Sequence, residues 1–529
     1  MQTSKMLGSR VRPLALGALS FTTLSNIVRP CHAQGIAQIG NLIPSHQFYS
    51  NFTSSLPPAY KTITVTGRDD IEKLYPIILS YITDPNKANS LREVIVDTYA
   101  WPNYYACLHD EGDDLVRQEG GEELNEKRPN RQLDHEAHTA LERHVTSLGL
   151  GDLLTTKIVE ALTWKKKHWL GEVSEKAKDF DDNERAFAVA ALIVIFCLCE
   201  TVSVLRIADF PTLLREYFLK NNYGKLSRFG LQQLKTVEFV KEHPLDNRVY
   251  EQVDFLEYVR HFGKLPAMES LSMEGVMEHE VNDLVSPGTT NIKKIHLDHS
   301  EISGSTLSKM IRSSKVLQEL RVSQGGLWHL DIGAWNMRPQ TVGKSLHQHR
   351  STLKVLELDV ADLDYSDVPS WENSMFEELA ESDEEYFKLD KESSTFPFWQ
   401  EDIPDDRPYG LTIGSLHDFT AMTHLSLNLN AMFGAWYERK EPPFRLIDAL
   451  PPSLEYLCLY GYVKGKNGDV DSHVEELMQH KEKRLPHLIK IEGVEETVLG
   501  VANLYLDDNS QMEDNLWQWP ELKLEWVEA

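Results

Sequence analysis

One short pattern constrains this chain more than any other feature: an apolar residue, two of any kind, an apolar residue, one of any kind, and a third apolar residue. It occurs at Val202/Leu205/Ile207, Leu234/Val237/Phe239, Met268/Leu271/Met273 and Ile292/Ile295/Leu297. It returns at Leu317/Leu320/Val322, Leu353/Leu356/Leu358, Met422/Leu425/Leu427 and Leu454/Leu457/Leu459, with an outlying earlier match at Leu91/Val94/Val96. With roughly three residues in ten apolar, chance alone would supply on the order of a dozen matches in this length, so the count decides nothing. The spacing is more informative. Successive starts lie 32, 34, 24, 25, 36, 69 and 32 residues apart, and 69 reads as two periods or as one period with an insertion.

Between the matches the apolar period changes from that of a strand to that of a helix. Leu307, Met310 and Ile311 lie on one helical face before the strand at Leu317, and Val342 and Leu346 precede Leu353. Val474, Leu477 and Met478 form another such face, for which Asp471 and Ser472 are the expected N-caps. That face leads into Leu488 and Ile491, a degenerate further copy. Helix, turn and strand repeated in this order predict an α/β fold, a parallel solenoid with strands on the concave side and helices on the convex side. No unit can bury its apolar face alone, so neighbours must stack.

The units "LQELRVSQGG", "STLKVLELDV", "AMTHLSLNLN" and "PPSLEYLCLYGY" resemble the degenerate leucine-rich repeats of fungal F-box-like proteins. "CLCETVSVLRI" looks like the helix-to-strand entry of such an array, and "GSRVRPLALGALS" is similar to the last helix of an F-box. The resemblance covers most of residues 190–495 and, near the start, 8–20. It departs from the family pattern in two places. The Asn or Cys that usually follows the strand is present only at Asn430 among the eight main units. An F-box is also several times longer than the stretch at 8–20, so its first helices are expected to be missing. What the resemblance implies is a substrate receptor of a cullin-type (SCF) ubiquitin ligase, with the SCF adaptor held through residues near 8–20. A standalone repeat scaffold unrelated to ubiquitin is the alternative.

The expected organisation is therefore a partial F-box-like helix and linker over 1–60, then an irregular first repeat and mainly helical region over 61–200 with a charged loop at 108–132. The leucine-rich-repeat solenoid follows over 201–500, interrupted by an acidic insert at 359–406, and a tail occupies 501–529. From Asp359 to Asp406 there are 17 Asp or Glu against two Lys, more than half of the chain's net charge of -27. Charge of one sign with little aliphatic content predicts a flexible loop. Trp371, Phe376, Tyr386, Phe387, Phe396, Phe398 and Trp399 lie among those acids; either they tuck onto the solenoid as part of a solvated insertion, or they anchor a basic partner.

The same net charge argues against nucleic acid, whose phosphates need clustered Lys and Arg; the run Lys165-Lys166-Lys167-His168 reads as the wet face of a helix. Five cysteines without a C-x-x-C pair suggest reduced, buried thiols. Ala186 to Cys199 is mostly apolar but shorter than the ~20 residues a membrane-spanning helix needs. Near the N-terminus, Pro13, Thr22, Thr23, Ser25 and Asn26 interrupt a stretch that otherwise imitates a signal peptide. A cytoplasmic or nuclear protein with no membrane partner is expected.

No enzyme motif is complete. His135-Glu136-Ala137-His138 is one residue short of the zincin H-E-x-x-H, so Glu136 is misplaced, and an exposed helix bearing two histidines is expected. His296 with His299, and His347 with His349, lack a third ligand. No catalytic, cofactor or metal site is assigned, and the expected function is non-enzymatic recognition of a protein. In each strand the residues flanking the second and third apolar positions point away from the core. Lys294, His296, Arg321, Glu357, Ser426, Tyr456 and Tyr460 are the candidate protein-binding residues on that concave face, with both tyrosines expected near Arg321 as anchors.

Overall fold

Ten main-chain hydrogen bonds show how this chain is assembled. The N–H of Arg92 donates to the carbonyl of Lys61, Ser203 to Arg92, Lys235 to Ser203, Glu269 to Lys235 and Lys293 to Glu269. The series runs on through Gln318, Lys354, Thr423 and Glu455 to Ile489, every bond being 2.8 or 2.9 Å long. Each of these residues opens a strand, so each strand begins in step with the one before it.

The strands are β1 (Tyr60–Val65), β2 (Glu93–Val96), β3 (Val204–Ile207), β4 (Thr236–Glu238), β5 (Glu251–Val253), β6 (Ser270–Glu274) and β7 (Val276–Glu278). They continue with β8 (Lys294–Asp298), β9 (Glu319–Ser323), β10 (Val355–Asp359), β11 (His424–Asn428), β12 (Tyr456–Tyr460), β13 (Lys490–Glu492) and β14 (Val527–Glu528). Twelve of them form one sheet in the order β13-β12-β11-β10-β9-β8-β6-β4-β3-β2-β1-β14, parallel throughout except that β14 runs antiparallel to β1. β5 and β7 make a second, two-stranded parallel sheet. The computed structural model describes residues 57–102, 135–172, 177–241, 249–278, 285–327, 337, 339–360, 412–433, 444–501, 517, 519 and 524–529. All of them belong to one compact unit, Pro57–Ala529. The stretch near 8–20, the loop at 108–132 and the insert beyond Val360 lie outside the described residues.

Helices fill most crossovers: α1 (Arg68–Thr83), α2 (Pro85–Ala88), α3 (His135–Ser147), α4 (Asp152–Trp169), α5 (Ala177–Leu198), α6 (Thr212–Asn222) and α7 (Phe255–Phe262). The later ones are α8 (Gly304–Ser313), α9 (Pro339–His347), α10 (Leu429–Phe433), α11 (Leu446–Ala449) and α12 (Gly468–Arg484). A parallel pair requires a crossover of this kind, and the crossover covers one face of the sheet. Val94, Leu205, Val237, Leu271, Ile295, Leu320, Leu356, Leu425 and Leu457 lie on one register row and are fully buried in the core shared with the helices. The next apolar row, from Val65 and Val96 to Leu427 and Leu459, is buried with it.

Local sequence sets the helix ends. Ser303 accepts from Thr306 N at the start of α8, and Asp254 accepts from Leu256 N and Glu257 N at the start of α7. At α12 the structure differs from the expected caps: the helix begins at Gly468, and Asn467 accepts from Asp469 N and Val470 N. Asp471 lies a full turn inside, where its carboxylate accepts from Tyr462 Oη at 2.7 Å and Gly465 N at 3.0 Å. An Asn before a Gly is as good a cap as an Asp, and the loop claimed the carboxylate.

The apolar run from Phe187 to Cys197 is the buried end of α5, and Cys199, buried too, follows the helix. Among the described residues no helix is long and apolar enough to cross a membrane. Cys197, Cys199 and Cys458 are buried and free. His138, expected on an exposed helix, is instead 0 % exposed. Its Nδ1 lies 2.8 Å from Tyr75 Oη and its Nε2 2.9 Å from Glu142 Oε1. A neutral ring satisfies both, accepting from the tyrosine and donating to the carboxylate, and burial lowers the pKa of the ring in the same sense. The i+4 spacing of Glu142 lets α3 carry the histidine inward against α1.

Described residues after β13 lie against the carboxyl ends of several strands. Val498 bridges Tyr460, Val501 N donates to Asp359 Oδ2, and Trp517 N donates to Gly326 O. Trp517 stacks on His299, and Trp519 packs on Phe239 while its Nε1 donates to Val249 O. Gly275 lies beneath Trp519 with positive φ, and a Cβ there would come within 2.4 Å of the indole. At the far edge Trp526 packs edge-on against Tyr60 and donates to Asp70, and β14 pairs with β1. The described residues of 501–529 are therefore woven into the body.

Candidate protein-binding face

Every residue between the apolar rows faces away from the helices. One register row on that side runs Arg206, Glu238, Ser272, His296, Arg321, Glu357, Ser426, Cys458 and Glu492 from β3 to β13. A second, one pleat earlier, carries Thr236, Ser270, Lys294, Glu319, Val355, His424, Tyr456 and Lys490. Parallel register with no slip places chemically matched residues on adjacent strands, where side chains on the same face can touch.

They touch as a chain of alternating charge. His296 Nε2 is 3.1 Å from Glu319 Oε1, which also accepts from Arg321 Nε at 2.7 Å. Arg321 Nη1 reaches across to Glu357 Oε2 at 3.2 Å, and Tyr460 Oη donates to Glu357 Oε1 at 2.6 Å. With the His296 ring against it and Arg321 donating to it, the Glu319 carboxyl is held down at about 2 in spite of partial burial. Burial, and then Glu357, raises the Tyr460 phenol well above its usual range, so it stays a donor.

Of the seven candidates, His296, Arg321, Glu357 and Tyr460 are thus brought into one network. Lys294 pairs with Glu269 at 3.3 Å. Tyr456 lies apart from Arg321, its hydroxyl donating to Glu492 Oε2 at 2.6 Å with Lys490 Nζ over its ring. Ser426 makes neither connection. Glu357, Ser426 and Tyr460 are only 7, 9 and 7 % exposed. The face is therefore open towards β8 and closed towards β11 and β12, where Tyr460 and Glu357 bury each other and Val498 lies at the end of β12. Alternation along a strand predicts direction; it carries no information about what covers the far side.

The candidates read from the sequence begin at Lys294 on β8 and leave out the earlier part of the face. Arg206 Nε lies 2.9 Å from Glu238 Oε2 and 3.3 Å from Glu93 Oε1, and Thr62 donates to Glu93 at 3.1 Å. The patterns at Leu91, Val202 and Leu234 already marked these outward positions. Beyond the row, Glu274 and Asp298 lie opposite each other at the strand ends. Burial, and then Asp298, pushes the Glu274 carboxyl up to about 7. No group of three metal-ligating side chains occurs among the described residues. Most charges on the face already have an opposite charge beside them, so the surface offers shape, hydrogen bonds and a few aromatic edges over a wide area. Neither a protein-family model nor a curated protein matches the chain.

Proposed function

We propose that the chain is a leucine-rich-repeat solenoid that recognises a protein partner on the sheet face opposite its helices. Its role would be non-enzymatic, as substrate receptor of a cullin-type ubiquitin ligase, in keeping with the resemblance of its repeat units. The observation that carries this reading is the register of outward polar residues from Arg206 on β3 to Arg321 on β9, the part of the face that stays open. A row of that length suits an extended protein surface better than a small molecule, which needs a concave, mostly apolar pocket.

Affinity purification from cell lysate with mass spectrometry tests it, using the full chain, a version lacking residues 1–35, and a Lys294→Glu/Tyr456→Ala face variant. An adaptor and cullin recovered with the full chain and face variant, but lost on removal of 1–35, is the expected result. A further protein should be lost only from the face variant. Absence of the adaptor from every sample, with the face-dependent protein retained, leaves a standalone repeat scaffold. Proteins bound equally by the face variant and the full chain overturn the binding face itself.

A further inference from the structure

The residue that opens each strand is polar along the whole sheet: Arg92, Ser203, Lys235, Glu269, Lys293, Gln318, Lys354, Thr423 and Glu455. At the last strand the series breaks. Ile489 occupies the position and is 86 % exposed. Val463 and Leu499, in the same terminal unit, are exposed as well. Ile491 is only half-buried where its row partner Leu457 is fully buried, because among the described residues β13 has a neighbour on one side alone.

Among the described residues, the main-chain groups of Ile491 at that edge have no partner beyond β12. Lys490 N donates back to Glu455 O. Alternate residues of a parallel strand bond to opposite neighbours, so the N–H and C=O of Ile491 face outwards. An exposed edge with an apolar side chain and free main-chain groups is a template for another strand.

We propose that this edge joins a second copy of the same chain, β13 against β13 in antiparallel fashion about Ile491. The charges are self-complementary in that arrangement. Lys490 of one copy falls opposite Glu492 of the other, twice, as an isologous two-fold contact demands. A two-fold axis normal to the sheet keeps both helical layers on one side and sets the two α12 helices antiparallel. The first half of α12 carries Asp469, Asp471, Glu475 and Glu476, the last paired with Arg445; the second half carries Lys481, Lys483 and Arg484 around Glu482, with Arg484 paired to Asp448. Antiparallel copies therefore place the acidic half of each against the basic half of the other. Because each copy uses the same β13 edge, the two-fold contact closes at two copies.

Sedimentation velocity of the full chain over a range of concentrations is the first measurement, and a monomer–dimer equilibrium is expected. Lys490→Glu alone and Glu492→Lys alone each set like charges opposite one another and should weaken self-association by about tenfold or more. Mixing the two variants restores opposite charges between chains but not within either chain, so a mixed dimer of near-native affinity should form. A chain that stays monomeric at every concentration overturns the proposal. So does a dimer indifferent to both variants, or one that mixing fails to restore; the last result would mean that the pair acts only within its own chain.

Discussion

At Asp359 the carboxylate lies against the backbone of Gly500 and Val501, the latter donating its N–H at 2.5 Å, with Glu357 on the same strand two residues away. Asp359 is 1 % exposed, and burial, followed by Glu357, moves its carboxyl up to about 7 although the Val501 N–H pulls the other way. The unfolded chain releases that proton near the ordinary value of 3.8. Between those two values the folded state binds more protons than the unfolded state. Stability attributable to this group therefore falls as pH rises through the window, and is constant above it. Asp359→Asn keeps an acceptor for Val501 and removes the charge. It should raise stability on the order of 1–3 kcal/mol more at pH 8 than at pH 5, read by denaturant unfolding. An equal change at both pH values would mean that the carboxyl is ionised throughout. The sequence placed Asp359 among the outward residues of its strand. Its burial depends on a residue 142 positions later, which no local pattern encodes.

Elements were more legible than residues, and the exceptions have local causes. The pattern at Leu91, an outlier by spacing, is β2, in register with β3. By contrast β1 was missed, because the leading position of its pattern is Tyr60, half polar, where every other unit has an aliphatic residue or Met. The β5–β7 sheet uses three-residue strands that carry no periodicity. Gly343 illustrates where propensity misleads. In the middle of α9 an alanine would ordinarily favour the helix by roughly 0.5–1 kcal/mol. Here an added Cβ would come within 2.0 Å of Ile413 O and 2.5 Å of its carbonyl carbon, atoms of backbone that cannot swing aside. Gly343→Ala should therefore destabilise the protein by about 2 kcal/mol or more. Gly468→Ala, at the open first position of α12 with nothing near its Cβ, should be neutral or stabilising by a few tenths. Similar unfolding midpoints for the two variants would show that α9 and the segment at Ile413 are not in contact.

At the scale of the whole body, a stack of strands touches only nearest neighbours and would fray independently from each end. The segment after β13 alters this by tying the carboxyl ends of β12, β10 and β6 to the β1 edge through Val498, Val501, Trp519 and Trp526. Removing residues 517–529 should accelerate amide exchange by tenfold or more in β1, in the first turn of α1 and around Gly275 and Gly326, while β10 to β12 keep their protection. Exchange changed nowhere in the remaining chain would mean that the segment rides on the body without holding it. The expected parallel order of strands followed from periodicity, whereas this return path rests on isolated tryptophans whose partners lie hundreds of residues earlier.

The pairing of β14 with β1 also imposes an order in time. β1 is the first strand of the sheet to be synthesised and β14 is the last. At about 5–20 residues per second, tens of seconds separate them on the ribosome. Throughout that interval the edge at Tyr60–Val65 has no partner on its outer side, however completely the strands between have folded. Closure of this edge must therefore wait for β14, and a chain stopped short of Val527 would be finished everywhere except at the strand it made first.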